Sequence, residues 1–237
     1  VFKPKTAYAT HVSLVGSELC IRDRMRITWY THTWTLDGER ALYWPLRDTL
    51  ILGDLHFGRS SHFQRAGIAL TEETHRKDLL RLKRLLEKYK PSTVYFLGDL
   101  FHSEYNAAWQ SFSNLIMSFY AIKFVLIQGN HDILYRSNYE KAGIEVLPFI
   151  QEEGLLFNHE PIEEASGLGV LCAHIHPGII MRGKAKQRLK LPCFYVEEDQ
   201  MILPAFTLLA GMKVLRPQRN VRVYLPMGES VQEVTRT

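Results

Sequence analysis

KFVLIQGNHD, residues 123–132, holds an apolar run that stops at Gln128-Gly129 and delivers Asn130, His131 and Asp132. A short run of Phe, Val, Leu and Ile bounded by glycine reads as a buried strand. The same event recurs on both sides of it. Upstream, the strand Thr49 to Leu52 ends in Gly53 and Asp54-Leu55-His56, and Thr93 to Leu97 ends in Gly98-Asp99. Downstream, Leu155 to Phe157 ends in Asn158-His159, and Gly169 to Cys172 in Ala173-His174-Ile175-His176.

Helical patterns separate the first three strands. Thr71 reads as an N-cap with Glu72 and Glu73 in the first turn, Leu79, Leu82, Leu86 and Tyr89 share a face, and Pro91 stops the helix. A second helix is expected from about Ala107 to Tyr120. From Lys190 onward PCFYV, MILPAF and VRVYL read as strands. Alternation of strand and helix places the chain in the α/β class. In such sheets the loops beyond the carboxyl ends of the strands gather on one edge, where ligands bind. Five segments therefore converge Asp54, His56, Asp99, Asn130, His159, His174 and His176 on one site.

Taken singly, each group has an ordinary explanation. Gly-Asp after a strand is a common turn, and His174 and His176 alone would suit opposite faces of a strand. The repetition in one order, each time at a strand end, is what points to chemistry. Carboxylate, carboxamide and imidazole donors without a thiolate suit manganese, iron, zinc or a similar divalent ion. A carboxylate has two oxygens and can bridge two cations, and a pair of ions clamps a phosphoryl group and activates a water.

The composition agrees with a folded soluble chain. Of 237 residues, 46% are apolar and 23% charged, which excludes disorder and collagen-like repeats. One domain over residues 25–237 is expected. Residues 1–24 read poorly as a fold element: VSLVGSELCIRDR resembles translated adapter sequence, with Met25 as the natural start and a disordered native tail as the alternative. Losing Lys3, Lys5, Arg22 and Arg24 against Glu18 and Asp23 would halve the net charge of +4, a mild balance in any case. Cys20, Cys172 and Cys193 form no disulfide framework, and Cys172 reads as a buried strand residue. No apolar stretch reaches membrane-spanning length, so a cytoplasmic protein without a membrane partner is the expectation.

Asp54-x-His56, Gly98-Asp99, Gly129-Asn130-His131-Asp132, His159 and His174-x-His176 together resemble the signature of the calcineurin-like metallophosphoesterases. The resemblance implies a fold of two packed mixed β-sheets flanked by helices. It implies that Asp54, His56 and His176 hold one metal and Asn130, His159 and His174 the other, with Asp99 bridging. His131 would then be the general acid that protonates the leaving oxygen, and Asp132 would orient it. Two divalent ions, manganese foremost with iron or zinc as alternatives, are the implied cofactors.

GDLHFGRSSHFQRAGI, GDLFHSE, His159-Glu160-Pro161, HIHPGI, LPCF and MILPAF look like the ligase-associated DNA-damage-response metallophosphoesterases. That group implies a phosphodiesterase acting on nucleic acid, with a DNA ligase and a DEXH helicase as functional partners. Two departures stand out. Ala173 replaces the usual glycine before the last two histidines, which is harmless unless that backbone needs a positive φ. Gly98-Asp99 continues as Leu-Phe-His-Ser, without the extension typical of protein phosphatases. Arg59, Arg65 and His102 are the candidate substrate contacts, His102 equally readable as a hydrogen-bond partner of a ligand. Arg182, Lys184, Lys186, Arg188 and Lys190 crowd one loop, which suits a phosphate backbone as well as it suits plain solvation. The alternatives to a nuclease are a small-molecule phosphomonoesterase and a non-catalytic scaffold for a repair complex.

Overall fold

The structure is a computed structural model that describes residues 24–58, 72–163, 167–182 and 187–234. Arg59, Arg65, Lys184, Lys186, the Thr71 cap and all of the expected leader except Arg24 lie outside the described residues. The first strand starts one residue ahead of Met25, with Arg24 paired to Asp37.

The first sheet has seven strands in sequence order: β1 (Arg24–Trp29), β2 (His32–Asp37), β3 (Ala41–Trp44), β4 (Thr49–Gly53), β5 (Thr93–Leu97), β6 (Lys123–Ile127) and β7 (Ile144–Leu147). β1 to β4 are antiparallel, whereas β4 to β7 run parallel. Among the described residues, three α-helices follow the parallel strands: α1 (Glu72–Tyr89), α2 (Ala107–Ser118) and α3 (Arg136–Lys141). The second sheet contains β8 (Ile150–Glu152), β9 (Leu155–Phe157), β10 (Gly169–Cys172), β13 (Phe194–Val196), β14 (Gln200–Ile202), β16 (Arg222–Pro226) and β17 (Val231–Val234). Its order is β17-β16-β13-β14-β10-β9-β8, with β9, β10 and β14 parallel at its centre. A third, small sheet joins β11 (Pro177–Arg182), β12 (Arg188–Pro192) and β15 (Lys213–Val214).

Strand alternation assigns the layers. On β4, β5 and β6, Leu50, Leu52, Val94, Phe96, Phe124 and Leu126 face a core with Leu82, Leu85 and Leu86 of α1 and Trp109, Phe112 and Ile116 of α2. The intervening Ile51, Tyr95, Leu97, Val125 and Ile127 face the second sheet and meet Phe157, Leu171, Phe194 and Leu203. The other side of the second sheet, with Val170, Cys172 and Ile202, is covered by Ile179 and Cys193 from the small sheet and its margin. Helices thus flank the first sheet, and a β-layer covers the second. Asn106 opens α2 by accepting from the Ala108 and Trp109 amides. Among the described residues, no helix is long and apolar enough to cross a membrane.

Register fixes the site. Gly53 is level with Leu97, and Leu97 with Ile127, so three parallel strands end on one line. Phe157 is level with Leu171 in the second sheet. The segment MILPAF ties the two edges together: the Leu203 amide donates to the Cys172 carbonyl and the Phe206 amide to the Gly53 carbonyl.

Candidate metal centre

Each predicted ligand follows one of these strand ends, and the structure gathers them into two clusters. Asp54, His56 and His176 form one; Asp99, His159 and His174 form the other. Each cluster takes ligands from both sheets. Ligand atoms approach as donors around a common ion do: His56 Nε2 lies 3.1 Å from His176 Nε2, and His174 Nδ1 lies 3.1 Å from His159 Nε2. Asn130, outside both triads, turns its Oδ1 to 3.2 Å from His159 Nε2 and so joins the second cluster. Asp99 lies between them, with Oδ2 3.8 Å from His56 Nε2 and Oδ1 3.4 Å from His159 Nε2.

The tautomers are set from behind. His159 Nδ1 is 2.8 Å from the Leu97 carbonyl and His176 Nδ1 is 3.1 Å from the Gly211 carbonyl. A carbonyl only accepts, so each ring donates there and turns a bare Nε2 to the cluster. Burial pushes the His176 imidazole down, but the hydrogen bond and charge of Asp54 outweigh it and raise its pKa above the usual 6.5.

Three features show that these residues fit metal. Asp54 and Asp99 are 0% and 1% exposed, and among the described residues their ion-pair partners are histidines alone. Two buried carboxylates need compensating positive charge. Asp54 Oδ2 accepts from the His174 amide at 2.9 Å, but its buried Oδ1 has no hydrogen-bond partner. A buried carboxylate oxygen without a partner, on a residue grouped with two histidines, is what a bound cation satisfies. Finally, Asp54, His56, Asp99, His174 and His176 have φ between 47° and 65°, five of the eleven non-glycine residues with positive φ among the described ones. Each such position costs on the order of 1–3 kcal/mol, and such strain concentrates at ligand clamps.

Glycines make room for this geometry. A Cβ on Gly98, whose φ is +77°, would lie 2.0 Å from His159 Nδ1, and one on Gly129 would lie 2.4 Å from Asp99 Oδ1. Ala173 is not among the positive-φ residues, so its methyl group is tolerated. The space it takes is left by Gly53, where a Cβ would stand 2.6 Å from the Ala173 Cβ.

The remaining candidates take defined places. The His131 amide donates to Asp99 Oδ1 at 2.9 Å, and its ring stacks on His102 with centroids 4.1 Å apart. His102 Nδ1 is 3.3 Å from His56 Nδ1, which puts His102 behind a ligand and against the proposed acid at once. Asp132 does its positioning through the backbone. Its Oδ1 accepts from the Leu100 and Phe101 amides and the Tyr139 hydroxyl, and its Oδ2 from the Gly129 amide. It thereby binds the loop after β5 to the loop after β6. Burial pushes its carboxyl up to about 6, against the pull of the Gly129 and Phe101 amides.

Sequence reasoning missed the supporting carbonyls of Leu97 and Gly211, which carry no side-chain signal. It also read MILPAF as identifying without explaining. The Ala205 carbonyl and the Thr207 carbonyl accept from Arg40 at 3.1 and 2.7 Å, and the Phe206 carbonyl accepts from Arg81 at 2.8 Å, which clamps this strip beneath Asp54.

A family model described as calcineurin-like phosphoesterase matches residues 48–198, which is more than half of the chain and spans every ligand named above. Among solved structures, the Pseudomonas putida nuclease MPE is 30% identical with a TM-score of 0.75, over 88% of this chain and 99% of that one. The Escherichia coli phosphoesterase Yfce is 13% identical with a TM-score of 0.41, over 74% of this chain and 86% of that one. The Aquifex aeolicus protein AQ665 is 16% identical with a TM-score of 0.40, over 54% of this chain and 78% of that one. No curated protein matches the chain. With its strand-end ligands in two clusters and the family's match running through all of them, the chain belongs to the calcineurin-like phosphoesterases and is a metal-dependent hydrolase of phosphoesters.

Proposed function

We propose that the chain is a two-metal phosphodiesterase that cuts the backbone of nucleic acid, with manganese as its working ion. The observation that carries the reading is the pair of clusters meeting at Asp99, with the His131 amide fixed to the same carboxylate. When bound, the two ions supply an activated water and neutralise charge on the phosphoryl oxygens. Asp54, His56 and His176 would hold one ion; Asn130, His159 and His174 the other; Asp99 both. His131 donates a proton to the leaving oxygen, its half-buried ring held by stacking on His102.

Nucleic acid is favoured over a small phosphomonoester by what lies beside the acid. Tyr135, four residues past His131, is 83% exposed and offers an aromatic face on which a base stacks irrespective of sequence, with the 61% exposed Ile133 as apolar surface beside it in the chain. The likeness to a solved nuclease at 30% identity points the same way. A role in DNA repair beside a DNA ligase and a DEXH helicase follows from the motif resemblance and is part of this proposal. A pure scaffold has no chemical use for seven converging ligands.

The test compares bis-p-nitrophenyl phosphate with p-nitrophenyl phosphate, each with Mn²⁺ and with EDTA, and then single-stranded DNA and RNA. Diester preference abolished by EDTA, followed by cleavage of a polynucleotide, is the expected result. Monoester preference with intact polynucleotides would move the enzyme to small phosphate esters.

A further inference from the structure

Away from the metal centre, the small sheet and its neighbours enclose a groove of about 660 Å³. Arg182 and Arg188 line it from the β11–β12 hairpin, Arg216 and Arg219 from the segment after β15, and Arg222 from β16. Glu233 is the one carboxylate among the lining residues. Aliphatic side chains such as Ile179, Leu215 and Val221 form the remaining wall. Only part of this was legible in the sequence, where the run from Arg182 to Lys190 read equally well as a solvated loop. The fold adds Arg216 and Arg219 from a separate segment.

Resting on the nucleic-acid substrate proposed above, we propose that this groove is an exosite that holds the phosphate backbone of the strand whose scissile bond lies at the metal centre. Three observations carry it. The first is like charge in register. Arg182 and Arg188 are directly paired across the hairpin, where two cations repel and cost stability. The second is the absence of internal compensation: among the described residues, Arg182, Arg188, Arg216 and Arg219 have no carboxylate within ion-pair distance. Arg222, in contrast, is used by the fold and donates to the Thr28 carbonyl at 3.1 Å.

The third is continuity with the site. β11 begins at Pro177, the residue after the ligand His176, and runs six residues to Arg182. At ~3.3 Å per residue that is a path of about 20 Å. The start of β11 is held beside the centre by the Lys213 amide, which donates to the His176 carbonyl at 3.1 Å. Phosphates on a strand rise by ~3.4 Å per nucleotide, so a strand cut at the metal centre would carry its phosphates roughly three to six nucleotides away over these arginines. Guanidinium forks match phosphate oxygens in pairs. No Phe, Tyr or Trp lines the groove, so it reads the backbone and not the bases.

The experiment measures binding separately from cleavage. Anisotropy of a fluorescein-labelled 20-nucleotide oligothymidylate is followed in EDTA across a salt series for the wild type and two variants, Arg182→Ala/Arg188→Ala and Arg216→Ala/Arg219→Ala. These four arginines are exposed, and the two pairs lie on separate segments, so the failure of one variant to fold leaves the other as the test. Each pair should lower the slope of log K against log salt by ~1.4, which is a loss of roughly 10–30-fold in affinity at 0.1 M salt. Mn²⁺-dependent turnover of bis-p-nitrophenyl phosphate should stay at the wild-type level, because that diester is too small to reach the groove. Unchanged affinity and slope in both variants would overturn the exosite, even with the wild type cleaving DNA. Displacement of the oligonucleotide by polyglutamate as readily as by unlabelled oligothymidylate would also overturn it and assign the groove to an acidic protein. A wild type that turns over bis-p-nitrophenyl phosphate but leaves all polynucleotides intact refutes the substrate reading instead, and the anisotropy series still decides the groove.

Discussion

His131 and Gly98 illustrate two ways in which one residue controls this site. His131 is tied to Asp99 only through its main chain, so removing its ring leaves the carboxylate's hydrogen bond in place. His131→Ala should therefore slow cleavage of a polynucleotide by about 10²–10⁴-fold while metal content, measured by plasma emission, stays at the wild-type value. Hydrolysis of bis-p-nitrophenyl phosphate should fall far less, since nitrophenolate leaves without a proton. Metal loss in that variant would make His131 a ligand and not an acid. Gly98→Ala should behave in the opposite way. Its Cβ would lie 2.0 Å from His159 Nδ1 at a backbone φ of +77°, so either the ring or the loop must move. The expected outcome is loss of the ion that Asn130, His159 and His174 would hold, read as about half the metal per chain, with turnover of every substrate abolished. At this scale the residues of the two clusters were legible because their chemistry lies in side chains. The work of Asp132 was not: an Asp beside His131 looks catalytic in the sequence, but its oxygens face the Leu100, Phe101 and Gly129 amides.

Among the elements, β4, β5 and β6 were readable almost to the residue, whereas β7, parallel to β6, was not read. TLIL, TVYFL and KFVLI are buried on both faces, so their apolar runs are continuous and their glycine stops are sharp. The β1–β2 hairpin was not readable, because its two-residue turn places Tyr30 and Thr31 at φ of 47° and 65°, positions that usually announce themselves as Asn-Gly. The small sheet was equally hidden, since β15 has only two residues and exists by pairing with β11. How α1 docks was also invisible. Arg81, 6% exposed, donates to Asp78, to Glu39 and to the carbonyls of Glu39 and Phe206, with its guanidinium 4.3 Å from the Phe206 ring centroid. One side chain thus joins α1, the turn after β2 and the MILPAF strip. Arg81→Ala would strand the buried Asp78 carboxylate and should cost about 3–5 kcal/mol. For a chain of this size that is a fall in Tm of roughly 6–20 °C, measurable by calorimetry with metals present. A change below 2 °C would mean that the Thr207 hydroxyl, 2.7 Å from Asp78 Oδ2, suffices to hold that carboxylate.

Across the whole molecule, the metal clusters are joints between the two sheets. Asp54, His56, Asp99 and Asn130 come from the first sheet's edge, and His159, His174 and His176 from the second's, so each ion would be shared by both layers. Metal binding and sheet packing are then one equilibrium. An ion at 100 times its Kd stabilises the native state by about 2.7 kcal/mol, so stripping the metals should lower Tm by several degrees, and Mn²⁺ should restore it. The sign of the pH dependence follows from the ligands. Histidines bind metal only when neutral, so the loaded protein loses this stabilisation as pH falls. The metal-free protein responds in the other direction through His176. Its native pKa is raised above the ordinary 6.5, chiefly by Asp54 working against burial, so protonation favours the metal-free fold below 6.5 and that benefit is lost as pH rises through the native value. The gap in Tm between Mn²⁺-loaded and EDTA-treated protein should therefore be widest near pH 8 and close from both sides as pH drops toward 5.5. Calorimetric scans of the two forms at half-unit intervals measure it, and His176→Ala should remove the acid-side gain of the metal-free form. A gap independent of pH would show that the histidines do not join the sheets through metal.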